Sequence, residues 1–468
     1  MTPTTPTLSL RALTSSALIL LLGATLSSAC ISEFGGDGDS AGDEAPAPPT
    51  ALASVADDLL EPGTQAIEFK TFALQPLEPV SVAAVGWSTF VGGSTTSERD
   101  AGEDMEVRRY TYTGSPQWTR QWGGPGDDRL LAMDASATGF AITGNTAGPV
   151  YFGLPVDDSA LDGTVVVSFD SDGNQTWGVA LTPVIPSATF TPVDLARAPD
   201  GSVAVLGTFT GPMDFGGIIG SGCFGIAYYG PDGAVEWVYS ASATSCILLA
   251  PGGIEFDDDG NLWYAGTHRF SMSLGGCQVG GSPYHQPHVF EFAPDGTCQW
   301  AQQWPIQGDI LHSSLRDLAI SDDSVVITGK LPNPPAFIDF GGGALFGPGQ
   351  YLVRLDSTGG HEFSARYDPP MRVAAASDGR VFTAARFEGT VDMGGGPVTS
   401  AGAGDILVTE HSATGAYLDG ASLLRGPADQ DVFDADVDGA SRLRIIGKSA
   451  DTPDSFFLAV QRPKRWSE

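Results

Sequence analysis

The chain has 468 residues, 61 of them glycine, and only 17% of its residues are charged. Acidic side chains outnumber basic ones 56 to 23, for a formal net charge of −33. A chain this negative is repelled by phosphate backbones and anionic bilayers, which excludes nucleic-acid binding and leaves a lipid anchor as the route to a membrane.

The N-terminus reads as an address. Arg11 is the only charge before Glu33, and behind it runs an apolar stretch from Ala12 to Leu26. That stretch falls short of the roughly 20 residues a membrane span needs, and with the small residues Ser27-Ser28-Ala29 it has the plan of a secretory signal peptide over residues 1–29. Cys30 resembles the lipidated cysteine of a bacterial lipoprotein. The lipoprotein motif places Leu three residues before the cysteine, whereas Leu26 stands four before it. Ser27 and Ala29 satisfy ordinary signal peptidase at the same bond, so acylation and simple cleavage both remain open. Residues 30–62 follow as a tether: Gly35 to Thr50 reads GGDGDSAGDEAPAPPT, low in apolar residues and unable to bury a core.

From residue 63 onward the chain repeats itself. Apolar runs ending at a small residue recur as VAAVG (Gly86), FAITG (Gly144), VAVLG (Gly207), LWYAG (Gly266), VVITG (Gly329), VFTAA (Ala385) and LRIIG (Gly447). The period is about 60 residues, the scale of an array or a propeller. A second phrase interleaves with it, a turn glycine followed four residues later by an aromatic: Gly114/Trp118, Gly173/Trp177, Gly233/Trp237, Gly296/Trp300 and Gly359/Phe363. The unit from Pro192 to Ser240 shows four strands, PVDLARA, SVAVLGTF, FGIAYYG and AVEWVYS. Pro-Asp-Gly turns and a glycine-rich MDFGG loop separate them. Seven such units predict an all-β fold, a seven-bladed β-propeller of four-stranded antiparallel blades over residues 63–468. Blade 7 lacks an obvious fourth strand, and Ala66–Phe72 (AIEFKTF) is similar to the fourth strands of other blades. It is expected to close the ring beside blade 7, the alternative being that it serves as first strand of blade 1.

The phrases APDGSVAVLGTFTGPMDFGG, SDDSVVITGKLPNPPAFIDFGGG and ASDGRVFTAARFEGTVDMGGG resemble the bacterial seven-bladed β-propeller repeat found in surface proteins and lipoproteins. The resemblance covers residues 80–468 and implies fold, while leaving function to be argued from a site.

Four cysteines remain after Cys30. Cys223 and Cys246 flank the third and fourth strands of blade 3 at one end of the blade and are the preferred disulfide. Cys277 and Cys298 flank the third strand of blade 4, which places them at opposite ends and argues against joining them. His285 and His288 form an H-x-x-H pair, but Pro287 between them forbids the helix that usually presents such a metal site. The acidic runs Asp434-Asp436-Asp438 and Asp170-Asp172 imitate the opening of a calcium loop. Position 12 from Asp434 is Ile445 where a bidentate Glu belongs, and both runs align with the strand-turn signature of the other blades. Calcium is the one cofactor considered. Asp200, Asp232, Asp295 and Asp378 occupy the same kind of turn, so one face of the ring is expected to be acidic, open to divalent cations or a basic partner, unless Asp simply suits these turns. The repeated aromatics are expected to pack between blades.

The sequence thus reads as an exported, lipid-anchored, monomeric propeller at the cell envelope or cell surface, binding an envelope or extracellular macromolecule, protein or glycan. The rival reading is a propeller enzyme acting on extracellular glycans or a quinone-type oxidoreductase.

Overall fold

A computed structural model describes residues 67–96, 102–153, 160–241, 249–282, 284–307, 314–321, 324–333, 336–423, 426–450 and 455–462. Its regular elements are all strands, gathered into seven four-stranded antiparallel blades. The blades begin with Glu78–Val85, Arg129–Ser136, Phe190–Arg197, Leu249–Phe256, Ser314–Ser321, Met371–Ala375 and Gln430–Val437. Each of these first strands touches the first strand of the next blade, and the last touches the first, so together they surround a central channel.

Closure uses the N-terminus. Phe69–Ala73 pairs antiparallel with Ser455–Gln461 and becomes the outermost strand of blade 7, in the order Phe69–Ala73, Ser455–Gln461, Leu443–Ser449, Gln430–Val437. Blade 1 has its own first strand, so the alternative placement is excluded.

The glycine phrase and the turn phrase have separate physical causes. In six blades the first strand carries a bulge, as between Pro192 and Asp194, and the glycine of the second strand lies opposite it. A Cβ on Gly207 would stand 2.6 Å from the Thr191 carbonyl oxygen, so the backbones approach too closely for a side chain. Blade 6 pairs Met371 with Ala385 and Arg372 with Ala384 without a shift, which explains how it tolerates alanine there. Blade 1 corrects the sequence reading. Gly86 (φ +55°) belongs to the turn after the first strand, and the glycine that pairs across the bulge is Gly93 in Ser88–Thr96. The two-residue turn Gly86-Trp87 stands where blades 3, 4, 6 and 7 have an Asp-Gly turn, and that shifted the apparent anchor.

The turn phrase joins neighbours. The glycine of each third-to-fourth-strand turn sits on the aromatic of the preceding blade. A methyl at Gly233 (φ +83°) would come 2.6 Å from Trp177, and one at Gly296 (φ +82°) would come 3.1 Å from Trp237. Gly359 meets Trp300 and Gly415 meets Phe363 in the same way. Trp237 also donates its indole N–H to the Pro294 carbonyl of blade 4 at 3.0 Å. Blade 1 repeats the contact, with Gly114 lying on Phe72 of the closing strand. Only Gly173 differs, resting on Arg120 rather than on Trp118.

The DFGG loops fold into small hairpins. Met213–Asp214 pairs with both Ile219–Gly220 and the outer strand of blade 2, extending that sheet to six strands. Comparable hairpins form at Met272–Leu274/Cys277–Val279, Phe337–Asp339/Ala344–Phe346 and Thr390–Asp392/Pro397–Thr399. Oδ1 of Asp214, Asp339 and Asp392 accepts two N–H groups of the following glycines, which is why the motif begins with Asp. The hairpin in blade 3 covers a strand edge that would otherwise present unpaired backbone groups.

Phe72 is 4% exposed and carries the closing contact. Phe72→Ala is expected to destabilise the ring by about 3 kcal/mol or more, as for other buried Phe truncations. Denaturant unfolding should show one cooperative transition shifted to lower midpoint with an unchanged slope; an unchanged midpoint would mean that Phe69–Ala73 is not part of the folded ring.

Candidate functional site

The first strands carry a set of side chains that breaks the repeat. Directly after the bulge stand Ser81, Asp194, Asp317 and Asp434, with Arg372 at the corresponding place in blade 6. Two residues further on stand Asp134, Glu255 and Asp436. Each of these acceptors receives a backbone N–H from the first strand of the next blade. Met133 donates to Ser81 Oγ at 3.2 Å, Arg197 to Asp134 Oδ2 at 2.7 Å, Ile254 to Asp194 Oδ2 at 2.9 Å and Ile320 to Glu255 Oε2 at 3.0 Å. Val373 donates to Asp317 Oδ2 at 2.9 Å, and the circle closes as Val82 and Ala84 donate to Asp434 and Asp436 at 2.9 and 2.7 Å. The Asp residues of blades 2, 3 and 7 also accept the N–H of their own following residue, so both oxygens are engaged. Among the described residues no such bond leads from blade 6 to blade 7. There Arg372 turns back to blade 5 and lies 3.6 Å from Asp317.

These carboxyls sit where an ionised group is unfavourable. Burial pushes Asp134 up to about 6 and Asp194, Asp434 and Asp436 up to about 7, against the lowering effect of the backbone N–H groups they accept. Glu255 is held well above the ordinary range by burial and by the charges of Asp436 and Asp134. Asp317 is raised less freely, because Arg372 offsets part of the desolvation.

Of the sequence-derived candidates, Asp434 and Asp436 join this set and the others lie outside it. Asp434 and Asp436 are strand residues facing the channel, not turn residues, whereas Asp438 lies in the turn and accepts from Arg442 and Arg444. The run is therefore split between two environments, because the bulged strand extends to Val437. Asp170 accepts the N–H groups of Asp172 and Asn174 on one oxygen and the Asn174 amide on the other, and these bonds lower its pKa. Asp172 is largely exposed and lies 3.7 Å from Arg109. Asp200, Asp232, Asp295, Asp356 and Asp378 each cap their own turns in the same manner. Among the described residues no three His, Cys, Asp or Glu side chains are grouped as metal ligands.

Cys30 and Cys246 lie outside the described residues. Cys223 is buried and disulfide-bonded. Cys277 and Cys298, expected apart, are joined, with Cα atoms 5.7 Å apart. The intervening hairpin runs back along the edge of blade 4, and Cys298 N–H donates to the Gly275 carbonyl at its tip. His285 and His288 are on and beside a strand, where a spacing of three puts them on opposite faces. The partner of His288 is instead His268, Nδ1 to Nδ1 at 2.9 Å, and burial keeps both rings neutral by lowering their pKa values. Cross-strand pairing of Leu262–His268 with Gln286–Phe292 brings them together, a relation invisible in linear spacing.

Sequence reasoning also missed an aromatic patch at the junction of blades 7 and 1. Trp87 is 69% exposed and meets Tyr112 edge to face, ring centroids 4.8 Å apart. The Arg442 guanidinium lies 5.3 Å from the Trp87 ring centre and 4.5 Å from that of Tyr112. The signal was the missing Asp-Gly after Val85.

No family model matches the chain, and no curated protein matches it. The solved structures similar to it are of low identity. They include the β-propeller domain of the trilobed protease from Pyrococcus furiosus (7% identity, 83% of this chain and 97% of that one, TM-score 0.44). A gluconolactonase from Xanthomonas campestris (11%, 89% and 99%, 0.37) and a protein of unknown function from Bacteroides caccae (11%, 71% and 93%, 0.34) are also similar. The class defined is the seven-bladed β-propeller.

The inter-blade carboxylate bonds predict a graded series. Asp194→Ala leaves the Ile254 N–H without its acceptor and should destabilise by about 1–3 kcal/mol, whereas Asp194→Asn keeps one acceptor and should lose less. Chemical denaturation of the two variants at pH 7.5 checks the order; equal losses would count against the bond.

Proposed function

We propose that this chain is an exported, lipid-anchored member of the bacterial seven-bladed repeat proteins, and that it serves as a binding module at the cell envelope. What carries the reading is the Trp87–Tyr112 pair, an exposed indole backed by a half-buried phenol on a face rich in acidic turns. A solvent-exposed Trp on a rigid turn offers contact area at low entropic cost, as binding surfaces do. The surrounding acidic turns favour a partner that is basic or uncharged where it touches, a glycan or protein of the envelope. Disulfide-bonded Cys223 and the Cys277–Cys298 bridge agree with an oxidising compartment outside the cytosol. The signal-peptide plan before Cys30 points the same way.

Two measurements test this. Cys30→Ala should move the protein from the membrane fraction to the soluble one and abolish fatty-acid labelling; wild-type protein that is soluble and unlabelled would refute the anchor. Trp87→Ala should weaken co-sedimentation with isolated envelope material, peptidoglycan or outer-membrane vesicles, about tenfold with an unchanged melting temperature. Equal binding by both proteins would remove the aromatic patch from the function.

A further inference from the structure

We propose that the channel carboxyls act as a proton-operated latch, taking up protons as the ring closes, so that mild acid tightens the propeller and mild alkali loosens it. The geometry supplies the latch. Every junction from blade 7 round to blade 6 is bridged at the channel wall by a side-chain oxygen that accepts an N–H from the next blade, and at all but the blade 1 junction that oxygen belongs to a carboxyl group.

The charges facing one another make ionisation of the whole set unfavourable. At one level Asp134, Glu255 and Asp436 repel one another from blades 2, 4 and 7. At the other, Asp194, Asp317 and Asp434 face each other from blades 3, 5 and 7. The cations nearby are Arg372 of blade 6, against Asp317 and Asp434, and Arg316 of blade 5, whose neighbours are Arg372, Asp317 and the exposed Asp431. Blade 1 contributes Ser81, which carries no charge. Arg197 acts on Asp134 through its backbone N–H and its charge, while its guanidinium reaches away to Ser168 and Ser136. Two guanidinium groups therefore face six carboxyls.

Protonation resolves this without breaking the bridges. On each aspartate of blades 2, 3 and 7 a proton from solvent binds Oδ1, in competition with the N–H of the following residue, while Oδ2 continues to accept the N–H of the next blade. In the unfolded chain these groups titrate near the ordinary value of 3.8, whereas in the ring Asp194, Asp434 and Asp436 titrate at about 7 and Asp134 at about 6. Because the folded values are the higher ones, the folded state binds more protons across that interval. The stabilisation is fully present below the unfolded value and is lost as pH rises through 6 to 7. The turn carboxylates Asp170, Asp356 and Asp378 are shifted downward and act in the opposite sense, with stability lost only as pH falls through values below 4. The two sets thus operate in separate pH windows.

The test compares the full chain with the double variant Asp134→Asn/Glu255→Gln, which replaces two carboxyls of one level by neutral groups that still accept. Relative to wild-type protein, the variant should melt several degrees higher at pH 8 and show little change at pH 5. Glu291, raised to about 7 outside the channel, and the buried His268, His288 and His411, whose lowered pKa values act in the opposite sense as pH falls, are intact in both proteins and cancel in the comparison. Carboxyl-carbon NMR titration of wild-type protein provides a second reading, with midpoints for several Asp and Glu between 6 and 7. An unchanged pH difference in the variant, or carboxyl midpoints all below 5, would each overturn the latch. Should the double variant not fold, the wild-type titration decides alone.

Discussion

A ring lying against a turn glycine is the contact on which the rest of this protein depends. Each blade is a sheet whose faces must be buried against its neighbours, and most junctions use the same device at the outer edge. An aromatic from one blade fills the space that a Cβ would have occupied in the next. Trp177 and Trp237 are nearly buried by it, and each anchors an inter-blade core that runs inward to residues such as Val205 and Tyr264. Because Phe72 makes the contact with Gly114, the chain termini are joined by the same chemistry that joins consecutive blades. Closure needs no special device beyond a strand from the other end of the chain.

The inner edge is built on a different principle. There the junctions between first strands are made by polar side chains reaching to backbone N–H groups of the next blade. Burying a carboxylate is costly unless it is hydrogen-bonded or paired. Here each is hydrogen-bonded, but among the described residues only Asp317 lies within ion-pair distance of a cation, Arg372 at 3.6 Å. The outer edge is therefore held by apolar area, which responds little to pH, and the inner edge by groups whose charge depends on it. The bulge connects the two. It brings the glycine of the second strand against the first strand and turns the residue after it toward the neighbouring blade. Blade 6 shows the dependence in reverse, since it lacks the bulge, the glycine and the acceptor together.

The departures from the repeat locate the function better than the repeat does. Blade 1 has Gly86-Trp87 where blades 3, 4, 6 and 7 carry Asp-Gly, and this change exposes an indole on the turn face beside Tyr112 and Arg442. A repeated aromatic is explained by packing; an exposed one outside the pattern is not required by the fold. The acidic turns, in contrast, are accounted for by backbone capping, because their carboxylates accept N–H groups of their own turns.

By itself the sequence determined the number of blades, their four strands, the turn chemistry and the role of the repeated aromatics. All of these rest on local or periodic signals: hydrophobic alternation, Asp-Gly pairs and a regular spacing. It also indicated the closing strand, because Phe69–Ala73 has the pattern of the strand it replaces. Only the tertiary structure decided which residues meet across blades and hairpins. Cys277 reaches Cys298 because a hairpin doubles back, and His268 reaches His288 through strand pairing. Asp134, Asp194, Glu255, Asp317, Asp434 and Asp436 gather round one channel although roughly 60 residues separate most neighbours. A linear pattern records which face a side chain takes, but the distance between two such faces is set by ring closure, and that is a property of all seven blades at once.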